Sequence, residues 1–189
     1  MPLAGCFAQA TQPANDYIRP PAFGISFFFT DYITPQRIRS ASLTEVIRNN
    51  QLAKIKDMAP GIGLTYFKGI RNHIDFAGTL NMSFVNVPLP NSSNTYDNDL
   101  LLEGDAAVNL KMLTDKHWVN PYLIVGIGAS KYKNFWGAFM PLGGGIKVNF
   151  FNEAAIFITT QYRVPVTTET ANYHFVHTIG IAGIIGQKK

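Results

Sequence analysis

The chain has 189 residues, of which 47% are hydrophobic and only 15% charged, against roughly 25% charged in an ordinary soluble domain. Its 16 basic and 12 acidic side chains leave a net charge of +4. They form no Lys/Arg cluster interleaved with stacking aromatics, so no nucleic acid is expected among the partners. Every apolar run is broken by Gly, Asn, Thr or a charge before the roughly 18 residues of a membrane helix, so this chain could cross a bilayer only as a closed barrel. The length fits one domain.

Met1 to Ala10 reads as the end of an export signal, with Ala8 and Ala10 at the small-residue spacing of a cleavage site. Leu3-Ala4-Gly5-Cys6 also matches a lipoprotein box, although too little apolar chain precedes Cys6. Residues 1–20 are therefore set apart as a residual signal segment, and residues 21–187 as the barrel. Cys6 is the only cysteine, so no intrachain disulfide framework can form.

Strand periodicity of two gives segments in chain order at Ala22–Asp31, Gly61–Lys68, His73–Phe84, Leu100–Leu113, Val119–Tyr132, Phe139–Phe151, Ala154–Val164 and Tyr173–Gly186. His73–Phe84 is the clearest. Ile74, Phe76, Leu80, Met82 and Phe84 share one face, and Asp75, Thr79, Asn81 and Ser83 the other. Leu100–Leu113 repeats the pattern, with Leu102, Ala106, Val108 and Leu110 opposite Glu103, Asp105, Asn109 and Lys111. About 9 to 11 tilted residues suffice to span a bilayer. Pro121 and Pro141 remove ladder donors and weaken two of the segments.

The links alternate in length. Tyr32–Pro60, Val85–Asp99, Lys133–Ala138 and Pro165–Asn172 are the longer ones; Gly69–Asn72, Thr114–Trp118 and Asn152-Glu153 are tight. An outer-membrane barrel with both termini in the periplasm has short periplasmic turns and longer external loops in that order. Inside the first long link, Ser42-Leu43-Thr44-Glu45 has capping-box spacing and predicts a short helix, read as a lid or packing element with a partner-binding helix as the alternative. The expected fold is an eight-stranded antiparallel up-and-down transmembrane β-barrel with a short helix in the first long loop.

Aromatic residues gather toward strand ends. Tyr66, Phe84, Trp118, Tyr132, Trp136, Phe150, Tyr162 and Tyr173 are expected to form the interfacial girdles. Asp75, Glu103, Asp105, Lys111, Lys147 and Arg163 fall on the polar faces, inside a barrel only wide enough for side chains to fill. An ion-pair network is expected there, joining Glu103 and Asp105 to Lys111, Lys147 or Arg163 and plugging the lumen.

Catalytic signals are scarce, so no enzyme and no cofactor are expected. His174 and His177 are three apart on a strand and face opposite sides, which argues against joint metal ligation. Asp97-Asn98-Asp99 lacks the spaced ligands of a calcium loop and reads as a solvated turn. Gly143-Gly144-Gly145 is not followed by Lys-Ser/Thr and reads as relief for barrel curvature rather than a phosphate loop.

The chain resembles the N-terminal barrel of outer membrane protein A-like proteins, in the form common in Bacteroidetes. The resemblance covers most of the chain after about Pro21. It rests on His73-Ile74-Asp75-Phe76-Ala77-Gly78-Thr79, Leu100-Leu101-Leu102-Glu103-Gly104-Asp105-Ala106, Gly126-Ile127-Gly128-Ala129-Ser130-Lys131-Tyr132 and Thr160-Gln161-Tyr162-Arg163-Val164-Pro165. It implies an integral bacterial outer-membrane protein inserted by the barrel-assembly machinery, in contact with outer-membrane lipid and lipopolysaccharide. Such proteins often continue into a peptidoglycan-binding domain. Peptidoglycan contact would come only through that domain, and Lys188-Lys189 reads as the start of a linker toward one. The expected role is structural or envelope-anchoring, with limited small-solute passage. The alternatives are a channel for small hydrophobic solutes and a soluble lipocalin-like barrel that binds an apolar ligand.

Overall fold

The computed structural model describes residues 18–85, 99–150, 153–168 and 170–185. Most of the signal segment with Cys6, most of the second long link with Asp97-Asn98, Phe151-Asn152 and the stretch after Ile185 lie outside the described residues.

Eight strands follow one another around a closed barrel in sequence order. They are β1 (Ala22–Asp31), β2 (Ala59–Arg71), β3 (Ile74–Val85), β4 (Asp99–Lys111), β5 (Val119–Tyr132), β6 (Phe135–Phe150), β7 (Ala154–Pro165) and β8 (His174–Ile184). Every neighbouring pair is antiparallel, and β1 closes on β8 from Ala22↔Ile184 to Asp31↔Phe175. Each strand therefore has a hydrogen-bonded neighbour on both sides, as a spanning sheet requires.

The alternation seen in the sequence sorts the two faces, with the apolar one outside. On β3, Asp75, Ala77, Asn81, Ser83 and Val85 are buried while Leu80, Met82 and Phe84 are exposed. β4 does the same, with Glu103, Asp105, Asn109 and Lys111 turned inward. A soluble lipocalin-like barrel would present the reverse.

The first long link contains α1 (Ile33–Ser40), the expected short helix α2 (Leu43–Arg48) and a single 3-10 turn at Ile55–Asp57. Ser42 caps α2 by accepting from Glu45 N at 3.2 Å. Helix α1 has no Ser, Asn or Asp at its cap position, which is Tyr32. Its first amides are held instead by Asp31 Oδ1, which accepts from Ile33 N and Thr34 N at 2.9 Å each.

The third link differs from expectation. β6 starts at Phe135, not Phe139, so the β5–β6 connection is only Lys133-Asn134, with Lys133 in the left-handed region at φ 54°. Lys131↔Trp136 and Tyr132↔Phe135 continue the ladder up to that turn, because outward Trp136 and inward Gly137 keep the alternation running. Pro141 acts as the sequence implies: the β5–β6 ladder has no pairs between Val125↔Leu142 and Gly128↔Phe139, where Pro141 offers no donor, yet Pro141↔Arg163 is intact on the β7 side.

Gly145 is required sterically. A Cβ there would lie 2.7 Å from the Ile158 carbonyl oxygen and 2.9 Å from the Tyr122 ring, whereas one at outward Gly183 would meet nothing within 4 Å. Gly145→Val should lower stability by about 1–3 kcal/mol, and Gly183→Ala should stay within about 0.5 kcal/mol of the parent. Urea titrations of the refolded protein measure both, and equal midpoints for the two variants would contradict the packing described.

Candidate functional site: the charged lumen

Buried charges sit in two groups, one toward each end of the barrel. At the end bearing α1 and α2, Arg163 on β7 is fully buried and its guanidinium reaches across to β4, bonding Glu103 and, at 3.2 Å, Asp105. The Phe139 ring lies under the guanidinium, 4.7 Å from its carbon. His174 at the start of β8 lies against the same carboxylate, with its Nε2 3.1 Å from Glu103 Oε1. Its Nδ1 lies 2.9 Å from the Asn172 carbonyl, which can only accept, so Nδ1 donates. The Tyr32 ring packs tilted against the same imidazole, 4.6 Å between ring centres, tying the first long link to this group.

At the short-turn end, Asp75 on β3 is gripped by two ammonium groups, Lys111 at 2.7 Å and Lys147 at 3.0 Å. Lys111 also bonds Asp115 in the β4–β5 turn. Arg19, just before β1, donates to Asn149 and lies 4.0 Å from Asp115. Asn149 in turn donates to the His117 carbonyl at 3.1 Å. The Lys147 ammonium lies 4.9 Å from the Phe67 ring centre, so an aromatic face covers it on the inner side.

Between the two groups, Thr65, Asn81, Asn109, Tyr122, Thr159 and Gln161 surround a void of only about 20 Å³. That is room for about one water, since one probe sphere needs roughly 10–15 Å³. Asn81, Asn109, Tyr122 and Gln161 each leave an oxygen there without a protein partner. Among the described residues no group of three or more His, Cys, Asp or Glu is placed to hold a metal. His174 and His177 face opposite sides, His177 pointing outward to Thr160 at 3.1 Å.

No protein-family model matches the chain, and no curated protein sequence matches it. In structure it is similar to the N-terminal β-barrel domain of Pseudomonas aeruginosa OprF, with a TM-score of 0.57 at 8% identity over 88% of this chain and 98% of that one. The fold is that of small outer-membrane β-barrels. The outer membrane protein OprG of Pseudomonas aeruginosa is similar over 88% of this chain and 96% of its own, with TM-score 0.56 and 8% identity. Neisserial surface protein A has TM-score 0.50 and 12% identity, covering 86% of this chain and 94% of that one.

The six charges named from the sequence all point into the barrel, and of the three cations expected beside Glu103 and Asp105 it is Arg163 that meets them. Arg163 takes both Glu103 and Asp105, while Lys111 and Lys147 go to Asp75. Register explains the division: Asn109, next but one to Lys111, pairs with Asp75, whereas Glu103 lies three positions before Ala106 and near the opposite end. Arg19, Asp115 and His174 were not visible as members, because all three lie outside or at the ends of the alternating segments.

The proposed girdle residues also separate. Phe84, Trp136, Tyr162 and Tyr173 lie at the end with the helices, and Trp118 and Phe150 at the other. Tyr66 faces outward but sits mid-strand opposite Gly78. Tyr132 is a correction. It is buried in the barrel mouth against Tyr32, Val85 and Leu101, since Lys131 takes the outward position beside it.

Arg163→Ala would leave Glu103 and Asp105 buried without their main cation, and should lower the unfolding free energy by about 3–5 kcal/mol. Arg37, in a partly exposed pair with Asp57 at 3.1 Å, should cost less than about 1 kcal/mol when replaced by Ala. Urea unfolding in lipid vesicles compares the two, and a small loss at Arg163 would remove the guanidinium as the organiser of that end.

Proposed function

We infer that the chain is an integral protein of the bacterial outer membrane, with its termini in the periplasm and the helical first link outside, serving as a closed, non-catalytic envelope barrel. The observation that carries this reading is the reversed sidedness. Isoleucine, leucine and phenylalanine side chains such as Phe27, Ile62, Leu80, Ile127 and Ile181 cover the outer wall, while Asp75, Glu103, Asp105, Lys111, Lys147 and Arg163 are buried within. That surface is stable only in hydrocarbon, and the fold shared with OprF and OprG supports the same setting.

A structural or anchoring role fits the lumen better than transport. Among the described residues two ion-pair groups and a void of about 20 Å³ occupy the lumen, which supports a closed interior. Passage of small solutes would need these pairs to part. A dedicated channel for hydrophobic solutes is less favoured, because its path would run over buried charge. Insertion by the barrel-assembly machinery and contact with lipopolysaccharide follow from the same reading.

Cell fractionation should recover the protein with outer membranes, and unboiled samples should migrate differently from boiled ones on a gel. In a Cys6→Ala background, Ala41→Cys in the first link should react with an impermeant maleimide on intact cells, and Lys116→Cys in the β4–β5 turn should not. Recovery in the soluble fraction with no heat-dependent shift would overturn the membrane reading. The reverse labelling pattern would overturn only the orientation. Planar-bilayer recordings should show no steady open channel, and a large constant conductance would refute the closed lumen.

A further inference from the structure

The outward wall from β1 to β6 contains a depression of about 950 Å³, a volume typical of small-ligand clefts. Its floor is made of small residues. Ala138, Ala129 and Gly104 are successive register partners across β6, β5 and β4, and Ala106 pairs with Gly78 of β3. Leu80, Ile127 and Met140 stand around it. Neighbouring side chains leave the floor open: an added Cβ would meet nothing nearer than 3.9 Å at Gly104 and 3.6 Å at Gly78.

A cation stands at the rim of this depression. Two residues closer to the β5–β6 turn, on the same outward face, Lys131 pairs with Trp136, and its ammonium lies 5.3 Å from the indole ring centre. Among the described residues Lys131 has no carboxylate within 4.0 Å, whereas Lys133 nearby is paired with Asp99 at 3.1 Å. Tryptophan settles at the boundary between acyl chains and headgroups, so the ammonium stacked on it is held at headgroup level.

We propose that this face holds one phosphate-bearing lipid of the surrounding leaflet, with an acyl chain in the groove over Ala129, Ala138 and Gly104 and its phosphate at Lys131. The occupant follows from charge complementarity above and an unfilled apolar surface below. The assignment rests on the membrane reading given above and adds to it a preferred lipid class and the place where that lipid sits.

Native mass spectrometry of the detergent-solubilised full chain, titrated with phosphatidylglycerol and phosphatidylcholine of identical acyl chains, tests the proposal. The first bound lipid should be phosphatidylglycerol by about fivefold, the factor for one basic side chain near an anionic surface. Lys131→Gln should bring that ratio to about one while phosphatidylcholine binding is kept. Gly104→Leu, which fills the groove, should weaken the first site for both lipids, and Ala129→Val serves as a second filling variant should the leucine impair folding. Equal affinities in the parent, a preference that survives Lys131→Gln, or a protein dimer in place of the lipid adduct would overturn the groove. Vesicle insertion is measured alongside. Failure of the parent to insert would overturn the membrane reading instead.

Discussion

Backbone hydrogen bonding in hydrocarbon constrains everything else in this molecule. An unpaired amide or carbonyl in the bilayer core costs several kcal/mol, so a sheet can cross only if its last strand returns to its first. The β1–β8 register achieves this along the whole of β1. Closure then dictates the interior. With eight strands the lumen is only wide enough for side chains, so each inward position must be filled, and each inward charge must find an opposite charge across the barrel.

The fold was legible because the constraint is written in a period of two. His73–Phe84 and Leu100–Leu113 separate polar from apolar positions without ambiguity, and the burial of Asp75, Asn81, Glu103 and Asp105 follows from them. What stayed hidden depends on register, which periodicity does not encode. Nothing local tells that Lys111 lies beside Asp75 and not Glu103. Nor could alternation find His174, Arg19 or Asp115, whose roles come from link geometry. The third link was misjudged because Phe135 to Ala138 contains two consecutive large aromatics, which blur the alternation that the β6 ladder in fact maintains through Trp136 and Gly137.

The two lumen groups differ in construction. The group at Asp75 is rich in cations and is completed by residues flanking the strands, Arg19 and Asp115, which fasten the short-turn end. The group at Arg163 is rich in carboxylates and is roofed by Tyr32 and His174, which tie the first and last long links to the wall. Outside, the wall is mostly apolar but uneven in relief, since glycine and alanine make one side lower than the rest.

The reach of Arg163 bears on how such a chain enters a membrane. Its carboxylate partners lie on β4, and β5 and β6 intervene between β4 and β7. A flat sheet or a lone hairpin would carry the guanidinium and both carboxylates into hydrocarbon apart from one another. Only a sheet already curled brings them together. Strand association and translocation across the bilayer must therefore advance as one event, with the charged face sheltered by curvature before the seam between first and last strands is sealed.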